Sequence, residues 1–94
     1  MAAAKKLKYL LRLYVAGNAP NSVRAVANAR ALCIEHLRGE HELEVIDLMD
    51  FPKRALADGI IVTPTLVKVT PSPVQRLIGN LSDTEQVLLA LGLK

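Results

Sequence analysis

Residues Tyr9 to Val15 read YLLRLYV, and an extended chain sends Tyr9, Leu11, Leu13 and Val15 to one side and Leu10, Arg12 and Tyr14 to the other. Both sides are mostly apolar, so both must be covered. A strand of this kind belongs inside a sheet, as the strands of parallel sheets do.

The following segments supply what such a strand needs. After the loop AGNAPN, Asn21 or Ser22 is placed to cap a helix that runs to about Arg38, where Gly39 stops it. At 100° per residue Ala25, Val26, Ala29, Leu32, Cys33 and Leu37 form one stripe, with Arg24, Asn28, Glu35 and Arg38 opposite. Leu43 to Leu48, LEVIDL, reads as a second strand, and a connection this long makes the pair a right-handed, parallel βαβ unit. Asp50 is expected to open a short helix, DFPKRALAD, that ends at Gly59.

Beyond Gly59 the apolar run IVTPTL contains a proline, which belongs at the first residue of a strand, at an edge or at a special turn. TLVKV and VQRLIG then flank TPSP, whose prolines fit a hairpin but exclude the tightest two-residue turn. Ser82 and Glu85 have the spacing of a capping box for a last helix, Asp83 to about Leu91, with Gly92 at its end. The order β-α-β-α-β-β-α, with a proline opening the third strand, describes an α/β fold of the thioredoxin-like class.

With 94 residues, 51% apolar and 22% charged, the chain reads as one domain with 1–7 a flexible start. The net charge of +3 comes largely from Lys5, Lys6 and Lys8 near that start, and no arginine interleaves with stacking aromatics, so nucleic acid is not the expected partner. The longest apolar run, VLLALGL, is far short of the roughly 20 residues that span a bilayer. Lys8 and Arg12 also interrupt any signal-peptide core, and a lone cysteine fits a reducing cytoplasm.

Thiol chemistry of this fold class places cysteines at the start of the first helix, where the helix dipole lowers their pKa. Here that place reads GNAPNS, without cysteine, and Cys33 falls about three turns further on, in the apolar stripe. Ser22 reads as a cap rather than an activating hydroxyl, the single glycine of VAGNAPNS excludes a phosphate loop, and His36 and His41 lack further ligands for a metal. No cofactor or catalytic acid and base pair is expected.

The words LYVAGNAPNSVRA, VIDL, TPTLVKV and PSPVQRLIGNLSDTEQVLLAL, with the spacing between them, resemble the KaiB family of circadian clock proteins from Tyr9 to Leu91. The resemblance implies a non-enzymatic protein that binds a KaiC-type ATPase ring and modulates its phosphorylation cycle. KaiA or a sensor kinase are further partners where present. It also implies two folds: the thioredoxin-like form, and a ground state with the same N-terminal βαβ unit, a rearranged C-terminal half and self-association to a dimer or tetramer. Tyr9, Arg12, Arg24 and Arg76 are the expected partner-binding residues, against a plainer reading as one packed tyrosine and three solvated charges. Pro64, Pro71, Pro73, Ala90 and Gly92 are the expected fold-switch positions. X-Pro bonds isomerise over tens to hundreds of seconds, so prolines in a refolding segment slow its exchange.

Several positions depart from the family pattern. Glu44 and Gly59 stand where cyanobacterial members carry lysine, Gln75 replaces one arginine of PVRR, and Ala90 and Gly92 stand for a glycine and an aspartate. Alanine for glycine favours a helix interior by about 1 kcal/mol, which tilts this chain toward the thioredoxin-like form. The chain also ends without the acidic tail of cyanobacterial members, which points to a non-cyanobacterial or paralogous type. Two other readings stand beside the clock role: a thioredoxin-like thiol or glutathione enzyme, and a stress-related interaction module.

Overall fold

The computed structural model describes residues 8–94; the expectation for 1–7 lies outside the described residues. The elements follow in the order β1 (Tyr9–Val15), α1 (Pro20–His36), β2 (His41–Asp47), α2 (Pro52–Ala57), β3 (Thr65–Thr70), β4 (Gln75–Ile78) and α3 (Thr84–Leu91). The sheet order is β2-β1-β3-β4, with β1 parallel to β2, antiparallel to β3, and β3 antiparallel to β4. This is the expected thioredoxin-like fold, and β1 has a strand on each side, as its two apolar faces require.

The two faces build two cores. Leu11, Leu13 and Val15 pack with Ala25, Ala29, Leu32 and Cys33 of α1 and with Val87 and Leu91 of α3. On the other side Tyr14, Ile46 and Val67 are covered by Ala55 of α2. The predicted α1 stripe is therefore the buried face, and Cys33 lies in it with 1% exposure.

Three helix starts differ from expectation, each because a side chain makes a different bond. α1 begins at Pro20 behind Ala19, without a side-chain cap. Proline suits that first position because the N–H it lacks has no partner there in any helix. Asn21 and Ser22 lie inside the helix, and the buried Ser22 hydroxyl accepts the Ala16 N–H at 3.1 Å, closing the loop after β1. α2 begins at Pro52 after Phe51, not at Asp50, because Asp47 organises the turn: its carboxylate accepts the N–H groups of Gly17 and Met49, and its carbonyl those of Asp50 and Phe51.

At α3 the cap is Asp83, whose carboxylate accepts the Gln86 N–H at 3.2 Å. Ser82 instead turns its N–H to the Asn80 side chain, so the capping box with Glu85 does not form. Gly92 ends α3 in the left-handed region at φ 77°, as glycine does at little cost. Pro64 is buried just before β3, and the bonds Thr63–Pro64, Thr70–Pro71 and Ser72–Pro73 are cis. Ala90 lies in the last turn of α3.

The Asp83→Ala variant is expected to lose about 1 kcal/mol of stability, the usual value of an N-cap, while Ser82→Ala stays within about 0.5 kcal/mol of the parent. Urea denaturation of the two variants measures the difference.

Candidate functional site

Arg12 and Tyr14 alternate with the Leu11 and Leu13 side chains of β1, so they emerge on the sheet face that α2 covers. The parallel register sets Glu44 of β2 beside Arg12, and the antiparallel registers carry the row on through Val67 to Arg76 of β4. A line of charge thus crosses the sheet in front of α2. Two arginines far apart in sequence share it.

Asp58, at the C-terminal end of α2, is where these groups meet. Its carboxylate accepts the Tyr14 hydroxyl and the Arg12 guanidinium, the latter at 3.3 Å. Its carbonyl accepts from Arg76, which also reaches the Gly59 carbonyl at 3.4 Å. Arg54, on α2, closes a two-pronged pair with Glu44 at 2.6 and 2.9 Å. Arg12 Nε lies 3.9 Å from the same Glu44 carboxylate and, among the described residues, is a buried side-chain nitrogen without a hydrogen bond.

The electrostatics follow from these contacts. The Tyr14 hydrogen bond holds the Asp58 carboxyl below its ordinary range, assisted by the charge of Arg12. Burial, together with the bond to the Asp58 carboxylate, pushes Tyr14 up to about 12. The bond from Arg54 pulls the Glu44 carboxyl down.

Of the expected partner-binding residues, the structure brings Arg12 and Arg76 together and leaves Tyr9 and Arg24 elsewhere. Tyr9 points to the opposite face, where its hydroxyl donates to the Leu91 carbonyl at 3.1 Å and ties β1 to α3. Arg24 is exposed on α1 and reaches Asn21 at 3.4 Å. Sequence reasoning missed Tyr14, Arg54 and Asp58, and it noted Glu44 only as a departure from the family pattern. The signal was present in part: Tyr14 shares the face of Arg12, whereas the register that sets Glu44 opposite Arg12 leaves no mark in the sequence.

Around this charge line the surface is apolar. Met49, Phe51, Leu56, Ile61 and Val62 stand exposed on and beside α2, Leu56 at 78% and Ile61 at 92%. By contrast, the groove of about 530 Å³ beside the start of α1 holds Gly17, Ser22, Arg30, Asp47 and Phe51 but no thiol. Ser22 is already bonded to Ala16, and burial raises the pKa of the Cys33 thiol away from the reactive range. Among the described residues no group of His, Cys, Asp and Glu is placed to hold a metal, and no helix is long and apolar enough to cross a membrane.

The KaiB domain matches residues 12–93. The chain belongs to the KaiB family. It is 52% identical over 85 residues to a Prochlorococcus marinus (strain MIT 9313) circadian clock oscillator protein KaiB, covering 90% of this chain and 71% of the relative. It is 50% identical over 88 residues to the KaiB protein of Microcystis aeruginosa, covering 94% and 85%. Among solved structures the N-terminal domain of Synechococcus elongatus SasA is similar with a TM-score of 0.77 and 28% identity, over all of this chain and 92% of that one. Chloroplastic thioredoxin z also gives 0.77, at 17% identity over 92% of this chain and 78% of that one, a likeness of fold alone. This KaiB-family chain is thus a thioredoxin-like fold without the cysteine pair at α1.

Tyr14 favours its neutral form more strongly when folded than when unfolded, so its contribution to stability is complete below pH 10 and is lost as pH rises toward about 12. Asp58 has the opposite sign: its contribution is complete above the ordinary carboxylate range and is lost as pH falls below about 4. Unfolding free energies measured against pH should show both losses. Tyr14→Phe should remove the alkaline part, and Asp58→Asn should remove the acidic part and shrink the alkaline part to what burial of Tyr14 maintains, at a cost of about 1 to 3 kcal/mol near neutrality.

Proposed function

We propose that this protein is a non-enzymatic, cytoplasmic clock or timer component that docks on a KaiC-type ATPase ring and modulates its phosphorylation cycle. The observation that carries the reading is the surface around α2, where Leu56, Phe51 and Ile61 surround a line of paired charges. Exposed apolar groups beside oriented charges are what a protein interface uses, the first for desolvation and the second for register. Membership of a family whose relatives are called circadian clock oscillator proteins supports the same reading.

In this reading Arg12 and Arg76 act through Asp58, holding the C-terminal end of α2 in place. Arg24 and Tyr9 contribute from the α1 side of the sheet. KaiA and a sensor kinase are further partners where the host has them, and the likeness to the SasA N-terminal domain supports competition between similar folds for one site.

The proposal includes a second packing of the C-terminal half, with Pro64, Pro71, Pro73, Ala90 and Gly92 in the segment that rearranges, and self-association to a dimer or tetramer in that ground state. Its support is the distribution of uncovered apolar surface. Met49, Phe51, Leu56, Ile61, Val62, Val74, Ile78 and Leu89 are exposed after β2, against Val23 and Ile34 before it. A different arrangement of that half has much to bury, and two packings within a few kcal/mol of each other coexist.

Pull-down against a KaiC homologue of the same genome, with ATP present, is the test. Leu56→Glu and Arg76→Ala are each expected to weaken binding by about tenfold or more, equal to about 1.4 kcal/mol, and Arg24→Ala by less. Absence of binding by the parent chain to every KaiC-type ATPase of that genome overturns the reading. Cys33→Ser is expected to bind like the parent, which separates this reading from that of a thiol enzyme.

A further inference from the structure

The groove beside the start of α1 has a helix for one wall and the sheet for the other. Val23 and Val26 of α1 line it together with Val45 of β2 and Phe51 from the turn before α2, and Val23 and Phe51 are each about half exposed. Its volume of about 530 Å³ lies in the range of small-ligand sites.

The two ends of this groove carry opposite charge. Asp47 and Asp50 stand at the end where β2 finishes and α1 begins. Asp47 accepts the Gly17 and Met49 N–H groups through Oδ1, at 3.2 and 2.9 Å, and its Oδ2 makes no hydrogen bond among the described residues. The exposed Asp50 side chain makes none among them either. The uncapped start of α1 brings about half a positive charge to this end, which two carboxylates outweigh.

Arg30 stands at the other end, eight residues and about 12 Å along α1 from Ser22. It also lines the next cleft, with His41 and Leu43, so it marks the boundary of the groove. Arg30 is exposed and pairs with no carboxylate among the described residues. Opposite charges thus line one groove without meeting, and the wall between them is apolar.

We propose that this groove binds a short apolar peptide with free ends, about three residues long. The occupant follows from charge and length together. Its ammonium meets Asp50 and Asp47 Oδ2, its carboxylate takes the two-pronged geometry that an arginine offers, and its side chains lie on Val23, Val26, Val45 and Phe51. An extended chain advances about 3.3 to 3.6 Å per residue, so three residues reach from one end to the other and two fall short. Both charged ends are exposed, so each adds a modest share and binding is weak. The site requires neither docking to an ATPase nor a second packing of the chain, and it stands apart from the proposed function.

NMR titration of the full chain with trileucine up to about 5 mM tests the proposal. Expected are amide shifts confined to the neighbourhood of Val23, Val26, Val45 and Asp47, with a dissociation constant of about 1 mM. N-acetyltrileucine and trileucine amide, which each lack one end charge, should bind about threefold to fivefold more weakly, and dileucine more weakly still. Asp50→Asn should weaken trileucine by a similar factor and leave N-acetyltrileucine unchanged. Arg30→Gln should do the same for trileucine and leave trileucine amide unchanged, so each variant is coupled to one end of the ligand. Asp50 and Arg30 are both exposed, so these variants keep the fold. Absence of shifts at those amides overturns the proposal. So does equal binding of the capped peptides, which would give the groove to an internal segment of a protein partner, and so does equal binding of dileucine.

Discussion

Leu11, Leu13 and Val15 press on α1 and α3 while Tyr14, out of phase by one residue, is closed in by Ile46, Val67 and Ala55. Burial of β1 on both faces is what the remaining elements serve. It requires a strand on each side, helices above and a cover below, and that cover can only be α2. Burying each large side chain of β1 is worth about 1.5 to 3 kcal/mol, more than any exposed ion pair supplies, so the packing of β1 dominates the charge line that crosses its lower face.

The lower face also explains why the charges are arranged as they are. α2 is six residues long and contributes one buried side chain, Ala55, so apolar contact alone gives it little hold on the sheet. Asp58 adds to that hold by accepting Tyr14 and Arg12 through its carboxylate and Arg76 through its carbonyl. A partly desolvated, charge-assisted contact of this kind is directional, and it orients the short helix where a larger apolar face would otherwise be needed. Leu56 and Ile61 stay exposed as a result.

Much of this was legible in the chain itself. The alternation in YLLRLYV, the stripe from Ala25 to Leu37 and the placement of Pro64 led to the element order and to Cys33 as a core thiol. Helix starts were less legible, because Ser22, Asp50 and Ser82 are all good caps by type, and contacts outside each helix decided which of them capped anything. Ser22 went to Ala16, Asp47 took over the turn before α2, and Asp83 displaced Ser82. Arg12 and Arg76 were singled out from the sequence, but not the carboxylate that unites them.

By itself, the sequence determined the layers, because hydrophobic periodicity is local and each element carries its own record of which side must leave water. It also determined what chemistry is missing at the start of α1, since a cysteine pair is a matter of residue type. Only the tertiary structure decided that Arg12, Tyr14, Glu44, Arg54, Asp58 and Arg76 form one surface, and that β4 lies at the edge of the sheet among the described residues. Those outcomes depend on the register between strands distant in the chain and on the direction in which α2 returns across the sheet. Neither leaves a periodic mark in the residues that take part.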